Sequence, residues 1–238
     1  MRLQGLVEGR FVARLNRFVA EVEIAGRRER AHVPNSGRMH ELLRPGARVF
    51  LAPRGGTRRT GFDLTLVEQG GRLVSIDARF PPALLTEALN AGPLPGLGPF
   101  WALRREVPLG HSRLDLRGDS ADGTWYIETK SVTLVRDGVA LFPDAPTGRG
   151  ARHLLELEAA VARGFQGAVV FVIQRDDAEL FRPNEETDPA FASVLRRVAL
   201  AVRVLAYRCR VTTEEVAIAR PLPVLLTPSQ PAASFGPA

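Results

Sequence analysis

The sequence predicts an α/β protein in which a five-stranded β-barrel precedes an α/β domain. Three observations carry this. Residues 10–76 hold short runs of period-2 alternation broken by turn residues, with one short helical pattern among them. Residues 147–164 carry a capped helical stripe, and a continuous apolar run of strand length follows at 167–175. The charge is divided between the halves. Residues 1–80 contain 15 Arg against 8 Asp plus Glu, a net +7, whereas residues 81–238 contain 16 Arg and 1 Lys against 18 acids, a net −1.

The barrel strands follow in order. R-F-V-A-R-L-N-R-F-V-A-E-V-E-I, residues 10–24, is a hairpin turning near Asn16 and Arg17, with Phe18, Ala20, Val22 and Ile24 alternating along its second arm. Ala25, Gly26 and Arg27 turn the chain into a third strand at 29–33. In P-N-S-G-R-M-H-E-L-L-R-P-G, Asn35 or Ser36 caps a short helix with Met39, Leu42 and Leu43 on its apolar side, and Pro45-Gly46 ends it. Strands at 47–52, 62–67 and 73–76 complete the set. A short helix after the third strand fits an OB-type barrel, a common nucleic-acid platform, and an SH3-like barrel fits the periodicity nearly as well. A basic half of this kind points to an anionic partner, with nucleic acid first and DNA ahead of RNA. Arg54, Arg58 and Arg59 in the loop P-R-G-G-T-R-R-T-G, and Arg38 in the first turn of the short helix, are the candidate phosphate contacts.

Composition narrows the class. The chain has 238 residues, 45% of them hydrophobic and 24% charged, enough for a sizeable core. No apolar run approaches the roughly 20 residues that span a bilayer, and the first ten residues lack a signal-peptide centre, so a cytoplasmic protein is expected. A single cysteine, Cys209, rules out an internal disulfide and Cys-rich metal sites. The oligomeric state is left open. The expected division is a barrel at 1–80, a second domain at 81–226 and a disordered tail at 227–238.

In the second domain, P-P-A-L-L-T-E-A-L-N at 81–90 begins a helix with its prolines and puts Leu84, Leu85, Ala88 and Leu89 on one side. H-S-R-L-D-L-R, the turn G-D-S-A-D-G and T-W-Y-I-E-T-K-S-V-T-L-V then form a hairpin. Alternation puts Leu114 and Leu116 on one face with Asp115 opposite, and groups Tyr126, Glu128, Lys130 and Val132. Asp115, Glu128 and Lys130 therefore converge if the faces match. Two carboxylates this close repel unless a cation lies between them, and oxygen-only ligation suits Mg²⁺ or Mn²⁺. Lys130 is the only lysine beside 31 arginines. Arginine is a planar fork that stays charged, whereas lysine is a compact amine, so a position that keeps lysine needs a point donor. Farther on, Thr147 caps a helix with Leu154, Leu155, Leu157 and Val161 as its stripe and Gly164 at its end. Arg149 at the mouth of that helix is a candidate phosphate clamp, while His153 reads as an ordinary polar helix residue. The apolar strand at 167–175 returns parallel to the first. A helix at 188–201 and a last strand at 202–211 follow.

The segments H-V-P-N-S-G-R-M-H-E-L-L (32–43), S-I-D-A-R-F-P (75–81), H-S-R-L-D-L (111–116), Y-I-E-T-K-S-V-T-L (126–134) and L-F-P-D-A-P-T-G-R-G-A-R-H-L-L-E-L (141–157) resemble the sugar fermentation stimulation protein A family over nearly the whole chain. The resemblance implies an N-terminal OB-like domain and a second domain similar to the PD-(D/E)XK nucleases. It casts Asp115 as the first acid and Glu128 with Lys130 as the E-x-K pair. It also puts Glu87 in the place of an additional helix acid and gives Gln174 a role in positioning water or phosphate. Thr129 departs from the apolar residue usual inside E-x-K; its side chain should face away from the metal, with its carbonyl as a further ligand. Two functions follow from this. One is a Mg²⁺- or Mn²⁺-dependent nuclease; the other is a non-catalytic DNA-binding regulator of sugar metabolism genes whose nuclease domain is vestigial.

Overall fold

A computed structural model describes residues 1–55, 60–110 and 112–227. Six strands build the first sheet: β1 Val7–Asn16, β2 Val19–Ile24, β3 Arg27–His32, β4 Arg48–Pro53, β5 Phe62–Gln69 and β6 Arg72–Ser75. Their order is β3-β2-β1-β4-β5-β6, and a parallel β3–β5 pairing through Ala31 and Phe62 closes the first five into a barrel. This is the OB connectivity, and it settles the choice against an SH3-like barrel. Phe11, Val22, Val49, Leu51 and Leu64 point inward and are almost fully buried.

The predicted short helix after β3 is a run of turns instead. Met39 has φ of +49°, and its N–H is donated to Asp144 of the second domain at 3.3 Å rather than being left to start a helix. Met39, Leu42 and Leu43 still fill the barrel end, as their apolar spacing required. A Cβ at Gly37 would collide with the Asp144 carboxylate, so glycine there is what lets the two halves close. Phe18 also departs from expectation. It lies outside β2, at the tip of the β1–β2 hairpin, and its side chain is exposed.

After helix α1, Phe80–Ala91, comes the larger sheet: β7 Ala102–Leu109, β8 Ser112–Ser120, β9 Gly123–Val132, β12 Gln166–Ile173, β14 Arg203–Val211 and β15 Val216–Pro221. Its order is β15-β14-β12-β9-β8-β7, with β9, β12 and β14 mutually parallel. Three short strands, β10 Leu134–Arg136, β11 Val139–Phe142 and β13 Leu180–Pro183, make a separate small sheet. Helices α2, Gly148–Ala162, and α3, Pro189–Val198, provide the parallel crossovers. The sheet is covered on both sides, which is why β12 reads as unbroken apolar sequence. Trp125, Ile127, Val170 and Val172 meet Leu84 and Leu85 of α1 on one face. Tyr126, Val132, Val169 and Phe171 meet Leu154 and Leu157 of α2 and Phe191 and Leu195 of α3 on the other.

The core under α1 is shared between the halves. Phe50 and Leu66 of the barrel and Met1, Leu3 and Leu6 all pack into it, and the Met1 carbonyl accepts from the Val216 N–H at 3.0 Å. Among the described residues no helix is long and apolar enough to cross a membrane.

Candidate active site

Strand β9 delivers Glu128 and Lys130 to the α2 side of the sheet, because they share a face with Tyr126 and Val132. Both are buried, at 4% and 9% exposure. Lys130 Nζ donates to Glu128 Oε1 at 2.6 Å. His153, one turn into α2 from Arg149, brings Nδ1 to the same oxygen at 2.5 Å. Arg149 Nε donates to His153 Nε2 at 3.3 Å. Since a guanidinium only donates, Nε2 is the acceptor and the ring proton sits on Nδ1, directed at Glu128. One oxygen of Glu128 thus receives two donors. The other, Oε2, is buried and has no hydrogen-bond partner among the described residues.

Asp115 reaches the same place from β8. The β8–β9 ladder stops at Leu116–Ile127, and beyond that pair the Asp115 carboxylate takes over from the backbone. Its Oδ2 accepts the Thr129 N–H at 2.8 Å and the Thr129 hydroxyl at 2.5 Å. The loss of pairing also changes the expected alternation. Leu114 packs with Tyr126 in the core under α2, whereas Leu116 packs with Ile127 under α1. Thr129 therefore orients Asp115 with its side chain, a role that its expected orientation away from the site did not include.

The two carboxylates are driven apart electrostatically. Burial and the Glu128 charge raise the pKa of Asp115 above the usual aspartate value, against the pull of the Thr129 hydrogen bonds. Burial would also raise Glu128, but the bonds from His153 and Lys130 outweigh it and hold Glu128 below its usual range. Neighbouring acids with diverging protonation behaviour are a mark of sites that do chemistry.

The start of α2 is fixed by the expected Thr147 cap and by Asp188, which sequence reasoning passed over. Thr147 caps the helix through Gly150 N–H, and its own N–H is donated to Asp188 at 2.8 Å. Asp188 also caps α3 through Phe191 N–H. Arg149 and His153 are held against β9 by this brace. Beside them, Ser112, Arg113, Arg149, Arg152 and His153 line a hollow of about 310 Å³. Arg149 and Arg152 are exposed and have no carboxylate partner among the described residues.

Other predicted site residues lie elsewhere. Glu87 is on α1, which covers the opposite face of the sheet; it is exposed and pairs with the Met1 amine at 2.9 Å. Gln174 is fully buried and committed: it accepts from Ser75 Oγ at 2.9 Å and donates to Ser131 Oγ at 2.8 Å and Asp77 O at 3.1 Å. Both of its polar ends are used to join the barrel to the second domain. Arg54 forms an ion pair with buried Asp63 and so is not a free phosphate contact. Arg38 is exposed on the loop beside Gly37. Arg58 and Arg59 lie outside the described residues, as do His111 and the tail beyond Thr227. The missed member is His153. Its spacing of four from Arg149 on one helix face was the available signal.

Comparison with known proteins agrees with this architecture. Residues 12–76 match the family description "SfsA N-terminal OB domain", and residues 79–215 match "Sugar fermentation stimulation protein RE domain". A sugar fermentation stimulation protein homolog of Moorella thermoacetica is 46% identical over 226 residues, covering 93% of this chain and 97% of its own. One from Desulforamulus reducens is 42% identical, with 94% of each chain covered. The solved structure of Pyrococcus furiosus SfsA in complex with Ca²⁺ superposes with a TM-score of 0.82 at 29% identity, over 94% of this chain and 98% of that one. The chain belongs to the sugar fermentation stimulation protein family.

Proposed function

We propose that the chain is a Mg²⁺- or Mn²⁺-dependent phosphodiesterase acting on nucleic acid, DNA in the first instance, at a PD-(D/E)XK-type site formed by Asp115, Glu128 and Lys130. The observation that carries this is the state of Glu128: one oxygen fixed by two donors, the other buried without any. A buried, partnerless carboxylate oxygen costs about 1–3 kcal/mol or more, a cost that persists where function uses it. A cation beside Asp115 and Glu128 would satisfy that oxygen and relieve the repulsion that raises Asp115. The Ca²⁺ held by the Pyrococcus furiosus relative supports a divalent ion in this family.

Among the described residues no three His, Cys, Asp or Glu side chains gather as a metal cluster. Two carboxylates with the Thr129 carbonyl match the hard ions that keep several waters. Such an ion, when bound, supplies charge neutralisation and a nucleophilic water at neutral pH. The protein's own groups do the rest. Thr129 holds Asp115, and His153 with Lys130 holds Glu128. Lys130 also lines the cleft toward the barrel, where its ammonium stabilises charge developing on a phosphate. Arg149, Arg152 and Arg113 offer donors for neighbouring phosphates.

The test is cleavage of labelled oligonucleotides by pure protein with Mg²⁺ or Mn²⁺. Lys130→Ala should lower the rate by about 10²–10³. Cleavage that is absent, or unaffected by the substitution, removes the catalytic reading and leaves a nucleic-acid-binding protein.

A further inference from the structure

A cleft of about 520 Å³ runs between the barrel and the second domain. Arg17, Phe18 and Asn35 line it on one side, and Lys130 and Arg149 on the other. We infer that this cleft seats an unpaired nucleotide with its base stacked on Phe18, so that the nucleic acid acted on is single-stranded; this rests on the reading of Asp115, Glu128 and Lys130 given above.

Phe18 is 46% exposed, although its backbone is held on both sides. Its N–H is donated to Asn16 Oδ1 at 2.9 Å, and its carbonyl accepts from Val33 N–H at 2.8 Å. A single exposed aromatic has no meaning by itself. This one projects from a pinned two-residue hairpin tip into the cleft that also holds Lys130, so binding orders little that is not already ordered. The Arg17 guanidinium lies 5.6 Å from the ring centroid, adding positive charge beside a flat apolar surface. One wall therefore offers a stacking face and the other offers phosphate donors, the pairing found where single strands are bound.

The dimensions favour the same substrate. The cleft is the size of a site for one compact ligand, within the usual range of about 300–1,000 Å³. A base in a duplex has both faces covered by its neighbours, so only an unpaired base can lie on Phe18.

The test uses the full chain in EDTA, so that binding is read without cleavage. Anisotropy would follow fluorescein-labelled oligothymidylate and oligouridylate of about 12 nucleotides, within the range usual for an OB-type site, and a duplex of equal length. Phe18→Ala should weaken single-strand binding about tenfold, leave duplex binding within about twofold and leave the melting temperature unchanged. Phe18→Trp should keep the affinity, and its indole emission should be quenched by the single strand. Overturning results are equal loss for both strand types, no loss in Phe18→Ala, or wild-type protein that does not bind the single strand. If wild type cleaves while Phe18→Ala changes nothing, this inference falls and the metal-dependent reading stands. If Phe18-dependent binding is found and no divalent ion supports cleavage, the reverse holds.

Discussion

Two buried carboxylate centres in this molecule are built to opposite specifications. In the barrel, Asp63 is 3% exposed and both its oxygens are satisfied: Oδ1 by His32 at 3.1 Å, Oδ2 by Arg54 and by Arg79 at 2.5 Å. Arg79 reaches on to Asp77, fastening the barrel to the start of α1. In the second domain, Glu128 is equally buried but keeps one oxygen without a donor, beside another acid. Burial would raise both groups, and both end below their usual range because of their partners. The direction of the shift therefore does not separate a structural lock from a working site. What distinguishes these two centres is the oxygen of Glu128 left without a donor while a second acid, Asp115, stands beside it. An unpartnered carboxylate oxygen is not enough by itself, since Glu41 and Glu156 also carry one.

The same contrast applies to the arginines of the basic half. Arg14 donates to the carbonyls of Gly37, Arg38, Arg17 and Asn35, Arg48 bridges Glu8 and Glu68, and Arg54 and Arg79 share Asp63. These four are committed to partners within the fold. Arg17, Arg27, Arg30, Arg38 and Arg44 of the same half are instead exposed without a carboxylate partner among the described residues, as are Arg149 and Arg152 of the half with net −1.

The largest expected difference between the centres is catalytic. Glu128→Gln should lower the cleavage rate by on the order of 10³ while leaving a folded protein, because the amide preserves shape and still offers an acceptor. Asp63→Ala should do the reverse. Removing the shared partner of Arg54 and Arg79 should cost about 3 kcal/mol of stability by urea unfolding, at the low end for a broken buried pair because both arginines can turn to water. Cleavage per folded molecule should stay unchanged. The Asp63 contribution has a defined pH window. Its folded pKa lies below the ordinary aspartate value, so the stabilisation is complete above about pH 4–5 and disappears as pH falls through the folded pKa. Asp63→Ala and wild type should accordingly converge in stability at low pH.

A smaller effect concerns His153 as a positioning residue. His153→Ala should weaken Mn²⁺ binding by about 10–100-fold, the usual loss when a ligand's hydrogen-bond partner is removed. His153→Asn, which keeps an N–H donor, should recover part of it. Unchanged Mn²⁺ affinity in His153→Ala would show that Lys130 alone orients Glu128. The smallest effect belongs to Glu87. Its pair with the Met1 amine is exposed, so Glu87→Gln should change stability by less than about 1 kcal/mol and leave cleavage untouched.

How much of this was legible in the sequence depended on whether a feature was local. Alternation at Ala20 and Val22, the continuous run of β12, the Thr147 cap and the Gly164 end (φ +91°) were local, and the structure has them. The convergence of Glu128 and Lys130 followed from period-2 spacing alone. The short helix at Met39 failed because an acid from a distant segment, Asp144, claims its N–H. His153 was passed over because its spacing of four from Arg149 shows only a shared helix face, while its contact with Glu128 depends on how α2 crosses the sheet. Gln174 and Arg54 had suitable chemistry, but their partners, Ser75, Ser131 and Asp63, are set by tertiary packing. Strands β10, β11 and β13 are three or four residues long, too short for a periodic signal.

The most direct measurement is calorimetric titration of Mn²⁺ into wild type and Glu128→Gln, without nucleic acid. The account predicts saturable binding to wild type that rises in affinity with the ionisation of Asp115, and loss of that binding in Glu128→Gln. Equal binding by the two proteins, or none by wild type, would contradict it.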